Sequence, residues 1–309
     1  MKSTPLVSVI IPCYNVSDYV EKAVSSILSQ TYTNLEILIV DDASTDDTLL
    51  KVKSFKDKRI KILEFQDNTK KIEAVNAALK LSTGDLISFQ DADDWSEPER
   101  IAKQVSRFAG VEDLGICFTK YRYTGAKPSE PASISVTDEE LKDEFLKFGN
   151  RSFTHLAPTM CATMMITKAA LNDTCGYHPY FTGRVAEDIH WVYRILKRYK
   201  GSAVEETLYN IRVREGSLTS LQFTGKNVKA AYSWQLLSKV IYYDIQKGID
   251  VLDPIQFDFM KRVELEACEE ALTKSILQIN KLKLSYESST RYKIGKLLLS
   301  PFLYLKSLR

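Results

Sequence analysis

The sequence is short of the features that stapled domains, metal clusters and membrane spans require. Its five cysteines, Cys13, Cys117, Cys161, Cys175 and Cys268, are odd in number and scattered. They lack the paired spacing of a zinc site or redox motif, which predicts free thiols in a reducing compartment. The three histidines, His155, His178 and His190, read as structural rather than as ligands. No stretch approaches the ~20 apolar residues of a transmembrane helix. The opening MKSTPLVSVIIPCYN has an apolar run too short for a signal peptide and no small-residue cleavage site, so a cytoplasmic protein is expected. A net charge of +2 gives no general case for binding nucleic acid.

What is present is ample apolar content for a packed core over 309 residues, in one large domain or two smaller ones. The chain is organised around residues 85–95, DLISFQDADDW. Leu86, Ile87, Ser88 and Phe89 predict a short buried strand, which ends abruptly in Asp91, Ala92, Asp93 and Asp94. Ligands bind at the C-terminal ends of strands in open α/β sheets, and carboxylate oxygens suit Mg²⁺ or Mn²⁺ carrying a phosphate. On these residues alone, an acidic turn capping a helix that starts near Pro98 accounts for the same letters.

The rest of the first hundred residues repeats one pattern. Residues 6–11 form a β-rich run stopped by Pro12, and Asp18 is positioned to cap a helix through Glu21, Val24, Ile27 and Leu28. Residues 35–40, LEILIV, run into Asp41 and Asp42 before a helix through Leu49, Val52 and Phe55. Residues 59–65 predict a third strand, and 72–81 a helix closed by Gly84. Unbroken apolar strands alternating with helices predict a mostly parallel sheet covered on both faces. Further on, the pattern predicts a helix over 99–108, strands over 114–123, 159–167 and 208–213, an irregular segment over 127–137, and a helix over 187–199.

Beyond Gly216 the character becomes helical, with long patterns over 228–243 and 257–284. Val263, Leu265, Cys268, Leu272, Ile276, Ile279 and Leu282 lie mostly three or four apart. That spacing suits a helical hairpin, a short coiled coil forming a homodimer through 257–284, or helices packed back on the domain. Residues 291–309 carry Arg291, Lys293, Lys296, Lys306 and Arg309 without an acid, beside many leucines. This composition predicts either an interfacial helix on an anionic membrane surface or a tail folded onto the core. The expected divisions are 1–216 (halves 1–98 and 99–216), a helical extension over 217–290, and the basic amphipathic tail.

Four pieces, VSVIIPCYN, SILSQTYTNLEILIVDDASTDDT, STGDLISFQDADDW and EDIHW, resemble in order and spacing the inverting glycosyltransferases of family 2, which have the GT-A fold. The resemblance implies a Rossmann-like α/β domain that transfers sugar from a nucleoside-diphosphate sugar, such as a UDP-sugar, to a hydroxyl of a glycan or lipid-linked acceptor. It implies that Pro12, Tyr14 and Asn15 line the nucleotide pocket, with Tyr14 stacking on the base and Asp42 accepting hydrogen bonds from its polar edge. Asn76, Asp91 and Ala92 belong to the same nucleotide side, and Asp93 is the implied ligand of Mn²⁺ or Mg²⁺. Asp94, Trp95 and Glu187 fall on the acceptor side. Asp188 matches the family's catalytic base, and a helix N-terminus there favours its ionised form. On the residues alone, Tyr14 as a core aromatic and Asp41 as a helix cap remain open.

The chain departs from the family's pattern in two places. Many members carry an arginine before the asparagine of the third helix, where this chain has Val75, so Lys70 or Lys71 is expected to supply the diphosphate-side cation. Where some members place a metal-assisting histidine, this chain reads RVREGS, leaving Arg212 or Arg214 as phosphate contacts. Two alternatives are a nucleotidyltransferase and an inactive scaffold of a polysaccharide assembly complex. The first lacks its usual glycine-rich basic loop, since PCYN stands there, and intact Asp93 and Asp188 oppose the second.

Overall fold

The structure is a computed structural model that describes residues 4–125, 161–213 and 228–288. The strands are β1 (Val7–Cys13), β2 (Leu35–Asp41), β3 (Ile60–Glu64), β4 (Leu86–Phe89), β5 (Trp95–Ser96), β6 (Leu114–Thr124), β7 (Met165–Thr167) and β8 (Lys200–Arg212). They form one mixed sheet in the order β3-β2-β1-β4-β7-β6-β8-β5. β3, β2, β1 and β4 run parallel, β7 is antiparallel to β4 and β6, and β8 is parallel to β6 and antiparallel to β5. Helices α1 (Val20–Leu28), α2 (Thr48–Ser54), α3 (Lys71–Leu81), α4 (Arg100–Arg107), α5 (Lys168–Thr174) and α6 (Glu187–Leu196) accompany the sheet.

Period-2 alternation of buried side chains divides the core into two layers. Ile10, Leu38, Val40, Ile87 and Phe89 meet α3 and α6 through Ile72, Val75, Ala78, Trp191 and Val192. Val9, Ile11, Ile37 and Ile39 meet α1 and α4 through Val24, Ile27, Ile101 and Phe108 on the other face. Strands buried on both sides explain why VSVIIPC and LEILIVD read as unbroken apolar runs.

Several expected boundaries move, each for a local reason. β1 continues through Pro12 because its ladder with β4 stops at the Ile10–Phe89 pair, so no strand there needs the missing N–H. Asp18 does not cap α1; the first backbone N–H groups of that turn, from Tyr19 and Val20, donate to the Val16 carbonyl. Gly84 is not the closing residue of α3, which ends at Leu81. A Cβ on Gly84 would lie 2.5 Å from Ser8 Oγ, so glycine permits close approach of the α3–β4 connection to β1. Of the strand expected over 159–167, the described residues 161–167 hold a 3-10 turn at Cys161–Thr163 and a short strand at Met165–Thr167, and the last strand lengthens to Lys200–Arg212.

The C-terminal part forms a helical hairpin of α7 (Val228–Lys247) and α8 (Phe257–Ser288). Leu237 and Ile241 of α7 enter the core beside α6, while Leu236 and Val240 pack on Met260, Val263 and Ala267 of α8. Hairpin and packing back on the domain are therefore both realised. Among the described residues no helix is long and apolar enough to cross a membrane. The irregular segment expected at 127–137 and the basic tail expected at 291–309 lie outside the described residues.

Candidate active site

β4 delivers its carboxylates to the C-terminal edge of the parallel strands. Directly after Phe89, the Gln90 N–H donates to the Ile10 carbonyl (3.0 Å), and the chain then turns out of the sheet through Asp91–Asp94. Asp91 and Asp93 are half-buried at this edge, whereas Asp94 is buried and accepts from the Arg212 backbone N–H (2.7 Å). Burial, with Asp91 and Asp93 nearby, holds the Asp94 carboxyl well above its ordinary range. The methyl group of Ala92 is buried in the core, so only its backbone is left to serve a ligand.

The turn rests on residues that the sequence pattern did not single out. Tyr209, fully buried on β8, accepts from the Asp91 N–H (3.0 Å) and from Gln90 Nε2 (3.2 Å), and its hydroxyl donates to Asp94. Gln90 Oε1 in turn accepts from Ser96 Oγ at 2.6 Å. Beneath lies Arg100, fully buried, whose guanidinium donates to Ser88 Oγ (3.0 Å) and to the Phe89 and Ala162 carbonyls. Arg212 Nε donates to the Asp93 carbonyl (3.0 Å), and its guanidinium sits 5.1 Å from the Trp95 ring centroid and 4.9 Å from that of Tyr19. Lys22 Nζ also lies over Trp95, at 3.2 Å. The expected phosphate contact Arg212 is thus seen bracing the carboxylate turn. A lone tyrosine in a strand pattern carries no signal of such a role; only the register of β8 brings Tyr209 under the turn.

The ends of β1 and β2 form the neighbouring rim. Tyr14 is 47% exposed, which removes the core-aromatic alternative. Asn15, in the left-handed region (φ 50), accepts from the Thr45 N–H (2.8 Å), while its own N–H donates to Ser44 Oγ. Asp42 is occupied: Oδ1 accepts from the Thr69 N–H (2.7 Å) and hydroxyl (2.8 Å), and Oδ2 from the Lys70 N–H (2.9 Å). Asp41 Oδ2 accepts from the Ser44 N–H, yet its buried Oδ1 has no partner among the described residues. The free acceptor on this rim therefore belongs to Asp41. Asn76, expected beside the nucleotide, is turned elsewhere, because its carboxamide bonds both the N–H (3.0 Å) and the carbonyl (2.9 Å) of Tyr177.

α6 and α3 complete the edge. Ala186, at φ 76, turns the chain so that Glu187 and Asp188 open α6. Lys71, the first residue of α3, places Nζ 3.3 Å from Asp91 Oδ1 and acts electrostatically on Glu187 and Asp188. Burial, and next the Asp188 charge, pushes Glu187 up to about 7 against the pull of Lys71. Burial also raises Asp188, opposed by Lys71 and by the Ile189 N–H that donates to its Oδ1 at 2.8 Å. Desolvation therefore outweighs the helix N-terminus that was expected to favour ionisation, and it makes Asp188 a stronger base. Among the described residues no three histidine, cysteine or carboxylate side chains form a closed metal cluster. Two hard carboxylates at an open edge fit an ion that draws its remaining ligands from a diphosphate and water.

A sheet of this topology, with paired carboxylates at the β4 end and an acidic pair opening a helix opposite them, defines a GT-A glycosyltransferase. The family model of glycosyl transferase family 2 matches residues 8–175, and the chain belongs to that family. It is 31% identical over 236 residues to the putative glycosyltransferase EpsE of Bacillus subtilis, an alignment covering 72% of this chain and 79% of that protein. It is 42% identical over 101 residues to the UDP-Glc:alpha-D-GlcNAc-diphosphoundecaprenol beta-1,3-glucosyltransferase WfgD of Escherichia coli, over 33% of this chain and 40% of WfgD. The fold is shared with S. aureus TarS in complex with UDP-GlcNAc (TM-score 0.58, 19% identity, 88% of this chain and 80% of the other). It is also shared with the mannosyltransferase PcManGT of Pyrobaculum calidifontis in complex with GDP-Man and Mn²⁺ (TM-score 0.57, 16% identity, 97% and 85%). The protein is a glycosyltransferase, and the nucleotidyltransferase alternative falls.

Proposed function

We propose that this enzyme transfers a sugar from a UDP-sugar, with inversion, to a hydroxyl of a glycan or lipid-linked acceptor in surface polysaccharide biosynthesis. The observation that carries the proposal is the meeting of Asp91, Lys71, Glu187 and Asp188 at one edge of the sheet, next to the exposed Tyr14. The named substrates of WfgD support a lipid-diphosphate acceptor, and the TarS complex supports uridine as the base.

In this reading Tyr14 stacks on the base and the unpartnered Asp41 Oδ1 accepts from its N–H edge, while Asp42 holds residues 69 and 70 in place as the pocket's floor. Lys71 takes the role expected of Lys70 or Lys71. It lies one turn before Val75 on the same helix face, and Lys70 is used through its backbone. Asp188 takes the proton of the acceptor hydroxyl as that oxygen bonds to the anomeric carbon, and the carbon–oxygen bond to the diphosphate breaks with its electron pair leaving on the diphosphate. Asp93, with Asp91 alongside, would hold Mn²⁺ or Mg²⁺, and the ion would supply positive charge to offset the negative charge building on the leaving diphosphate. Attack from the side opposite the leaving group inverts the configuration.

Calorimetric titration with nucleoside diphosphates and their sugars, in Mn²⁺, Mg²⁺ or chelator, tests the donor site. Metal-dependent binding of a uridine nucleotide is expected, lost in Asp93→Asn. Asp188→Asn is expected to retain donor binding and to lose about 10²–10⁴ in turnover. Wild-type turnover by Asp188→Asn refutes the base, and no nucleotide binding by folded protein moves the function to the scaffold alternative.

A further inference from the structure

The expected seam of α8 divides into two faces in the structure. Met260, Val263, Ala267 and Ala271 are buried, and the first three pack against α7. Leu265 (61% exposed), Leu272 (56%), Ile276 (48%) and Ile279 (62%) are not buried by any described residue. At 100° per residue these two sets lie on opposite sides of the helix. Ala271 is the last buried position among the described residues, and Lys274 still donates from Nζ to Gln235 Oε1 of α7 (3.0 Å); past that contact α8 continues to Ser288 as an arm on which Ile276, Leu277, Ile279 and Leu284 are exposed.

With Leu265 in position a of a heptad, Leu272 and Ile279 are also a, Cys268 is d, and Ile276 is e. The charges beside this seam discriminate between pairing directions. In a parallel pair, Glu264 would face Glu269 of the second copy, placing like charges together, and Glu264 is already engaged by Tyr180 and Arg184. In an antiparallel pair centred on residues 276–278, Glu269 faces Lys283 of the second copy, twice by symmetry, and Ile276 meets its own counterpart at the two-fold axis. Both Glu269 and Lys283 are exposed and point from the same helix side as the seam.

We propose that the α8 arm is a self-association surface, occupied by the α8 of a second copy of this chain in an antiparallel coiled coil. The first half of α8 is already anchored on α7 through Met260, Val263, Ala267 and Lys274, so the arm continues a helix that is formed before association, which reduces the entropy cost of a short seam. The surface lies outside the transfer site, and its test does not depend on the donor or acceptor.

Sedimentation equilibrium of the full-length chain at tens of micromolar is expected to show a dimer. Ile276→Asp is expected to weaken dimerisation by at least about 30-fold with an unchanged circular dichroism spectrum. Glu269→Lys is expected to weaken it several-fold, and Glu269→Lys combined with Lys283→Glu to restore it. A monomer at all concentrations overturns the proposal, as does a dimer indifferent to Ile276→Asp. A dimer weakened by Ile276→Asp but not rescued by the double charge exchange overturns the antiparallel pairing. A monomer that instead binds anionic vesicles through Leu272 and Ile276 assigns the face to a membrane and overturns it as well.

Discussion

Glu187→Gln isolates the electrostatic cost built into the acidic pair. In an unfolded chain this carboxyl titrates near 4.5, and in the folded protein near 7, because burial and the Asp188 charge disfavour its ionised form. Between those values the native state keeps a proton that the unfolded state has released. Stability from this group is therefore present below pH 4.5, is lost progressively as pH rises towards 7, and is flat above that. At about 1.36 kcal/mol per pH unit, the interval sets a ceiling of roughly 3 kcal/mol. Partial exposure and the shared titration with Asp188 bring the expected loss to about 1–2 kcal/mol. Glutamine keeps the shape and cannot titrate. Urea unfolding of wild type and variant at pH 5 and pH 8 reads the difference, since groups outside the Glu187–Asp188 pair contribute equally to both. Wild type should lose about 1–2 kcal/mol more than Glu187→Gln across that interval. Identical losses would show that Glu187 is solvated and ordinary, and would remove the buried acidic pair from the account of the site.

Lys71→Met removes the cation that lowers both Glu187 and Asp188, so the acid limb of the pH profile of kcat/KM should move to higher pH; an unmoved limb would separate Lys71 from the base. Tyr209→Phe deletes the hydroxyl shared by Asp91 N–H, Gln90 and Asp94, and should cost about 1–3 kcal/mol in thermal unfolding while weakening Mn²⁺-dependent donor binding more than metal-independent nucleotide binding. Asn76→Ala should destabilise by about 1–3 kcal/mol through the two lost Tyr177 bonds and leave the donor Kd unchanged, whereas a specific loss of donor affinity would return Asn76 to the nucleotide pocket.

The carboxylate turn and the strand–helix alternation were legible because they are written in consecutive residues. Apolar runs of six or seven residues identify strands buried on both faces, and Asp91, Asp93, Glu187 and Asp188 stand at predicted element ends. The α8 pattern was legible only as a period. Its three-to-four spacing could not say that Val263 faces α7 while Leu265 and Leu272 face solvent. Acceptor selectivity was not readable, and residues 127–151 lie outside the described structure.

The sequence by itself determined the strands and helices of the first hundred residues up to Phe89, their alternation and the edge at which carboxylates collect, since periodicity and turn chemistry act over a few residues; β5 and α5 were not among the elements it predicted. The tertiary structure decided which side chains share that edge. It brought Lys71 rather than Lys70 to Asp91 across 20 positions, set Tyr209 under the turn across 118, and drew Asn76 to Tyr177 across 101. It also reversed the electrostatic expectation for Asp188, because the strength of a carboxylate depends on the water excluded around it, and that exclusion is a property of the packed sheet and helices.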